Sequence, residues 1–467
     1  MTAADARELD RRLDGEVLTP ASADFESVRR PFVARYDDLV PEVITRCASA
    51  EDIAAAIDFA RRHGLHVAVR GGGHCYAGRS STTGVLIDLA PMDHVRVADG
   101  AASIGAGARL GTIYEALLRD DVTIAGGSCP TVGIAGLTLG GGLGILGRRY
   151  GLTCDRLLAA RVVLADGSVV ECDADHLSDL FWGLRGGGAG RLGVVTSLTF
   201  EPVPAPTMTN FRLTWTLSAA ASLVETWQRW APDAPDELAA SLLLRRPAEP
   251  EEPPTAEVIG AMVGTERDTD DLLAEVIMGA GSDPVSAFRE QMSYRNTRRF
   301  WDQLASVDGG PVRHEYLQVR SEFFRRPLDA GTVAGLVADL TSAHRPGQQR
   351  ELDFSPWGGA YNRVPTTATA FAHRDERFLL KVSVDIPADA PPEERTAARS
   401  WLRESAAMAY ANGSGRVFPN FADPELDDWS PSYHGENRER LLEVKAAYDP
   451  DDLFHPMRSG RPGPPAR

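Results

Sequence analysis

Along the first 200 residues the apolar positions alternate between a helical period and short continuous runs. Ser49 ahead of Glu51 and Asp52 marks a helix start, and Ile53, Ile57 and Ala60 recur at helical spacing. Gly64 stands where a left-handed cap closes such a helix. His66-Val67-Ala68-Val69-Arg70 then reads as a short buried strand running into Gly71-Gly72-Gly73. Further strands are predicted at 85–89, at 162–165 ahead of an Asp166-Gly167 turn, and at 194–200. Beyond Pro202, Pro204 and Pro206 the pattern changes. Phe211, Leu213, Trp215 and Leu217 alternate with Arg212, Thr214 and Thr216, as in a half-buried antiparallel strand. An amphipathic helix with Leu223, Trp227 and Trp230 follows, then an acidic proline-rich loop at 247–254. Strands are predicted near 257–263, 314–320, 350–355 and 378–386, and a helix over 392–411. The fold class is α+β, with the middle region forming a sheet covered by helices.

Composition narrows the chemistry. The 467 residues suffice for two or three domains. With 49 Lys+Arg against 66 Asp+Glu the net charge is −17, which repels phosphate backbones and excludes non-specific nucleic-acid binding. Lysine occurs only at 381 and 445. A phosphate loop ending in Gly-Lys-Ser/Thr is therefore absent, and a pyridoxal-phosphate enzyme is a poor match. Cys47, Cys75, Cys129, Cys154 and Cys172 form no C-x-x-C pair, so no metal site is read, and buried thiols are the expectation. The N-terminal residues alternate in charge and lack the apolar core of a targeting segment, which predicts a cytoplasmic protein. Residues 122–147 carry no charge, but nine glycines and Pro130 make a weak helix. The stretch is read as a buried, backbone-rich binding loop and not as a membrane span.

Glycine, 44 residues or about 9% of the chain, concentrates in three clusters: 70–74 (RGGGH), 126–147 and 185–193 (RGGGAGRLG). Such loops let main-chain amides approach a pyrophosphate closely, and three in one region point to an extended phosphorylated cofactor. Gly142-x-Gly144-x-x-Gly147 matches a dinucleotide fingerprint literally. It follows Leu137-Thr138-Leu139-Gly140-Gly141 where a buried strand belongs, so the context argues against a Rossmann site. His74 closes the first cluster, where a side chain can be presented to a ligand. Cys129 lies among small residues that leave its sulfur accessible.

Taken together, RGGGH at 70–74, GSCPTVGIAGLTLGGGLG at 127–144, DLFWGLRGGGAGRLGVVTS at 179–197 and YHGEN…RLLEVKAAYDPDDLF at 433–454 resemble the berberine bridge enzyme-like flavin oxidases of the vanillyl-alcohol oxidase/p-cresol methylhydroxylase superfamily. The resemblance implies a two-domain PCMH-type FAD-binding fold with an antiparallel-sheet substrate domain. The FAD domain would be 1–204, with its core at 37–205. The substrate domain would span 205–414, and 415–467 would return to the FAD domain. The resemblance also implies FAD bound bicovalently, through His74 to the 8α-methyl carbon and Cys129 to C6. Arg70, Gly71, Gly72 and Gly73 would cradle the pyrophosphate. Thr131, Gly133, Gly136, Gly141 and Gly142 would run close to the flavin, and Val194 would contribute main-chain bonds. Asn420 and Asn437 would hold the C-terminal segment against the flavin. Arg191-Leu192 departs from the family's usual Asn-Phe.

The implied activity is an FAD-dependent oxidation of a small, natural-product-like molecule by hydride transfer, with O2 as electron acceptor. Runners-up are a dehydrogenase or cyclase reacting slowly with O2, and a non-redox flavin-retaining protein. Relatives take the substrate proton on a tyrosine of a Y-x-N-Y segment, but the matching stretch here is Phe418-Pro419-Asn420-Phe421, and a phenyl ring accepts no proton. Asp353, Tyr361, His373 and Tyr433 are the remaining titratable candidates.

Overall fold

A computed structural model of the chain describes residues 2–188, 190–305 and 314–455. The helix announced by its cap signals runs Ala50–His63: Ser49 and Asp52 form a reciprocal capping box, and Gly64 closes it at φ +62°. Its Ile53, Ile57 and Ala60 face is fully buried. It lies on a four-stranded sheet in which β2 (Val43–Arg46), β4 (Val85–Asp88) and β3 (Val67–Arg70) run parallel and β1 (Glu16–Leu18) pairs antiparallel at the edge. Two parallel strands joined by a covering helix explain why β3 and β4 read as continuous apolar runs. A second, antiparallel sheet has the order β5-β6-β10-β8-β9, with β5 Val95–Ala98, β6 Ala101–Gly105, β8 Leu157–Val163, β9 Val169–Asp173 and β10 Val194–Phe200. The short β7 (Val122–Thr123) pairs with β11 (Val203–Pro204). One apolar core gathers side chains from Leu9 to Met208 and recruits Leu441, Val444 and Phe454 from the far end of the chain.

The middle region forms a seven-stranded antiparallel sheet: β12 Met208–Thr216, β13 Leu238–Arg246, β14 Thr255–Met262, β15 Ser286–Met292, β16 Tyr316–Phe324, β17 Gln349–Pro356 and β18 Phe378–Ile386, in the order β15-β12-β14-β13-β17-β18-β16. Helices Ala220–Trp230, Glu266–Ala280, Ala330–Thr341 and Pro392–Tyr410 supply the cover, burying Leu223, Trp227, Leu273, Leu336 and Trp401 against Leu242, Leu244, Leu352, Phe354 and Val382. Each such fully buried side chain contributes about 2 kcal/mol of hydrophobic stabilisation. The architecture is α+β, as the pattern predicts. Among the described residues no helix is long and apolar enough to cross a membrane. Gly142, Gly144 and Gly147 follow the helix Ile134–Leu139 and not a strand; a Cβ at Gly144 would meet the Gly126 carbonyl, and one at Gly147 the Tyr361 hydroxyl. These glycines permit close packing, and the setting is not that of a Rossmann turn.

Candidate functional site

The glycine clusters converge on one cleft of about 1320 Å³, open to solvent, with Gly71–Gly73, Gly133, Gly136, Gly190 and Gly193 in its wall. Two loops meet there main chain to main chain: a Cβ on Gly72 would stand 2.2 Å from the Gly133 nitrogen, and one on Gly133 2.3 Å from the Gly72 nitrogen. Among the described residues no acceptor takes the amides of Gly71, Gly72 or Gly73, which leaves a run of main-chain donors as an anion-binding concavity requires. Gly136 has neither a left-handed φ nor any neighbour within 4 Å of a built Cβ; it is exposed only because it faces the cleft. A side chain there would occupy ligand space, so its smallness fits a large flat group lying against the loop. The cleft, its free amides and Gly136 fit FAD.

His74 and Cys129 meet through a third residue. His74 Nε2 shares a 2.9 Å hydrogen bond with Thr131 Oγ1, and Cys129 Sγ lies 3.4 Å from the same hydroxyl. His74 lines the cleft, and Phe32 stacks on its ring at 4.0 Å. Burial, with the Arg109 charge adding to it, pulls the His74 pKa down to about 4, so the ring is neutral near pH 7. Nε2 is engaged by Thr131, and Nδ1 has no hydrogen-bond partner among the described residues. The loop carrying Cys129 is fixed from behind: Tyr114 donates to the Gly127 carbonyl at 2.7 Å, and Arg298, lying over the Tyr114 ring, donates to the Ser128 carbonyl.

The other expected positions divide. Asn420 lines the cleft and bridges the C-terminal segment to the loop, accepting from the Gly142 amide and donating to the Gly136 carbonyl, each at 3.0 Å. Arg70 is turned away. Its guanidinium holds the Val28, Arg29 and Ser80 carbonyls and the Ser81 hydroxyl, so it shapes the turn from outside. Gly141 and Gly142 pack on Phe371 and Thr153 outside the cleft wall, and Gly193 and Val195 face the cleft instead of Val194. Asn437 bonds the Thr366 and Thr369 carbonyls, away from the cleft. Three proton-acceptor candidates are likewise engaged elsewhere. Tyr361 donates to the Gly144 carbonyl, Tyr433 to the Asp423 carbonyl, and His373 Nε2 pairs with the Val417 carbonyl while burial pulls its pKa down to about 3. None of the three lines the cleft, so the structure does not place them at reacting atoms.

Asp353 lies on the sheet face opposite the helices, and that face is charged. Arg212 on β12 pairs with Glu257 on β14 (2.8 Å) and Glu257 with Arg245 on β13 (3.4 Å). Arg245 in turn pairs with Glu351 on β17 (2.8 Å) and Glu351 with Lys381 on β18 (3.1 Å); Lys381 also reaches Asp353 (3.0 Å). The ladder crosses five adjacent strands in spatial order, and period-2 alternation puts every rung on one side. Lys381 Nζ stands 5.6 Å from the centre of the Phe421 ring, which is 6.0 Å from Tyr76. Tyr76 lines the cleft two residues after His74, and its hydroxyl has no hydrogen-bond partner among the described residues. Burial pushes its pKa up to about 12, with the Lys381 charge pulling the other way. Tyr76 and Lys381 were not singled out in the sequence; the signal available was Tyr76 at the end of the His-x-Tyr run and the rarity of lysine.

Comparisons with known proteins give the family. Residues 41–173 match the FAD binding domain family, and 417–459 match the berberine and berberine-like family. The chain is 31% identical over 453 residues to the FAD-linked oxidoreductase YgaK of Bacillus subtilis, covering 95% of this chain and 96% of that one. It is 31% identical over 449 residues to the glucooligosaccharide oxidase of Sarocladium strictum, covering 91% and 88%. A solved structure of glucooligosaccharide oxidase from Acremonium strictum, described as carrying a 6-S-cysteinyl, 8α-N1-histidyl FAD, superposes with a TM-score of 0.86 at 26% identity over 96% of this chain and 97% of that one. The chain belongs to the berberine bridge enzyme-like family of FAD-linked oxidoreductases.

Proposed function

We propose that this protein holds FAD through two covalent bonds, from His74 and Cys129, and oxidises a small organic molecule by two electrons with O2 as the acceptor. The observation that carries the reading is the single hydroxyl of Thr131, which joins a thiol to a neutral imidazole that lines the glycine-walled cleft. C6 and the 8α-methyl carbon sit in meta relation on one benzenoid ring, so two attachments from neighbouring side chains suit that ring. When bound, FAD would supply the hydride acceptor and a route for the electrons to O2. The chain's own groups do the rest. Gly71–Gly73 offer amides to the pyrophosphate, Gly136 leaves room for the ring system, and Asn420 seals the C-terminal segment beside it. Residues 205–414 present the charged sheet face as the substrate side. Tyr76 is the group offered for the substrate proton in place of the phenylalanines at 418 and 421, and Lys381, clamped between Glu351 and Asp353, supplies the charge that favours its phenolate. A polyfunctional natural product suits such a face better than an apolar one does.

A panel of alcohols and amines, assayed for peroxide, tests this. Turnover with peroxide formation, reduced about a hundredfold or more in Tyr76→Phe, is the expected result. The replacement of both family tyrosines by Phe418 and Phe421 favours, as a second reading, a flavin-retaining protein without oxidase activity. Flavin that stays oxidised under anaerobic incubation with every compound in the panel would support that second reading.

A further inference from the structure

The sheet face that bears the ion-pair ladder also walls a second cavity, open to solvent. Phe32, whose ring backs His74, belongs to its wall, so the cavity abuts the end of the cleft where the flavin attachments lie. We propose that this cavity receives the protonated amine of the substrate, and that Asp385 on β18 is the residue that takes it.

The charges in the wall are unequally satisfied. Arg212 and Arg245 are both bound within the ladder, to Glu257 and Glu351. Asp385 stands at the ladder's end, opposite Leu317 of β16 and Gln349 of β17, and enters no ion pair among the described residues. Its Oδ1 is closed off from bulk water and has no hydrogen-bond partner. Asp385 thus combines one buried, unpartnered oxygen with a side chain partly open to the cavity; a carboxylate so placed costs free energy until a donor arrives, and a charged donor offsets that cost best.

The electrostatic setting selects the sign of the ligand. Burial, with the charges of Glu315 and Glu351 adding to it, pushes the Asp385 pKa up to about 8; Lys381 acts against them, and Glu351 and Asp353 already hold it. The wall carries Glu252, Glu257, Glu315 and Asp385 against Arg212 and Arg245, so acidic groups outnumber basic ones and an anion is disfavoured. A neutral hydroxyl would satisfy one hydrogen bond and leave the repulsion in place, whereas an ammonium relieves both. The rest of the wall sets the ligand's body: Phe32, Pro247, Pro253, Leu304 and Leu317 are apolar. The ligand class is therefore a primary or secondary amine on an aromatic or aliphatic body, with its oxidisable carbon reaching past Phe32 toward Tyr76. This assignment rests on reading the glycine-walled cleft as the flavin site.

The test is calorimetric titration of the full-length, flavin-carrying protein with 2-phenylethylamine and with 2-phenylethanol, its neutral counterpart. At about pH 8 the amine is expected to bind at least about tenfold more tightly than the alcohol. Asp385→Asn is expected to remove that preference and leave the alcohol unchanged. Because the ammonium favours the ionised carboxylate, amine binding to the wild-type protein near pH 7.5 is expected to release close to half a proton or more, seen as a dependence on buffer ionisation heat, and none in Asp385→Asn. Gln349→Lys places a built-in ammonium opposite Asp385 and is expected to abolish amine binding without touching the carboxylate, which keeps the test valid if Asp385→Asn folds poorly. Equal affinities for amine and alcohol, no binding of either, or full amine preference in both variants would overturn the assignment. Covalent flavin is checked separately by acid precipitation: a colourless pellet counts against the reading of the cleft, and lost amine preference in a yellow protein counts against Asp385.

Discussion

At the scale of single residues, glycine at one position leaves space for a ligand and at another lets two chains touch. Gly72 must be glycine because the Gly133 nitrogen lies where its Cβ would go; Gly136 has no such neighbour. The two substitutions should therefore separate. Gly72→Ala is expected to destabilise the fold by about 2 kcal/mol through overpacking. Gly136→Val is expected to fold, since glycine is the weaker helix former, yet to carry less flavin per chain as judged by the ratio of visible to ultraviolet absorbance. Undiminished flavin in Gly136→Val would remove the ligand-space explanation for that residue. Thr131 illustrates what a motif conceals. It lies two positions from Cys129 in the sequence but 57 from His74, and only folding shows that its hydroxyl is shared by both.

At the scale of elements, the strongest local signals are the ones that the fold honours. The capped helix Ala50–His63, the apolar runs of β3, β4 and β10, the alternating β12 and the whole of β18 stand where the pattern puts them, within a few residues. β13, β15 and the helix Glu266–Ala280 were not legible: β13 mixes alanine with leucine, and β15 is an exposed edge strand whose polar residues carry no period. The convergence of the glycine loops on one cleft with His74 in its wall was legible because the clusters are locally rare in composition. An arginine beside glycines resembles a phosphate ligand, whereas the direction of Arg70 depends on the Val28–Arg29 carbonyls, about forty residues upstream. The ion-pair ladder is a tertiary fact, invisible until five strands are set in register. Its hub is Lys381, with only 18% of its side chain exposed and a carboxylate on each side. Lys381→Met leaves Glu351 and Asp353 without their cation and is expected to cost about 3 kcal/mol in urea unfolding. A loss below about 0.5 kcal/mol would show the ladder to be solvated.

At the scale of the whole molecule, the chain leaves the seven-stranded sheet and returns to the first core past a buried acid. Glu322 on β16 accepts from the Gly415 and Arg416 amides at 2.5 and 3.2 Å, and burial raises its pKa to about 7. The folded state thus holds this proton more tightly than the unfolded chain does. The associated stability is fully present below the ordinary carboxylate range and is lost as pH rises through 7. Glu322→Gln keeps the acceptor and removes the charge, so it is expected to exceed the wild type by on the order of 3 kcal/mol near pH 8 and to match it near pH 4. A gap that stays constant across that range would show that Glu322 does not titrate between the two states.

The same return path delivers Asn420 to the cleft that His74 lines, so the fold and the proposed flavin attachment are tied to one another. The most direct measurement is mass spectrometry of the acid-denatured, proteolysed protein. The expected species is a single flavin joining the peptide that contains His74 to the peptide that contains Cys129; His74→Ala and Cys129→Ala would each leave the flavin on the other peptide alone. Both peptides at their unmodified masses, with the flavin free in the supernatant, would contradict the account.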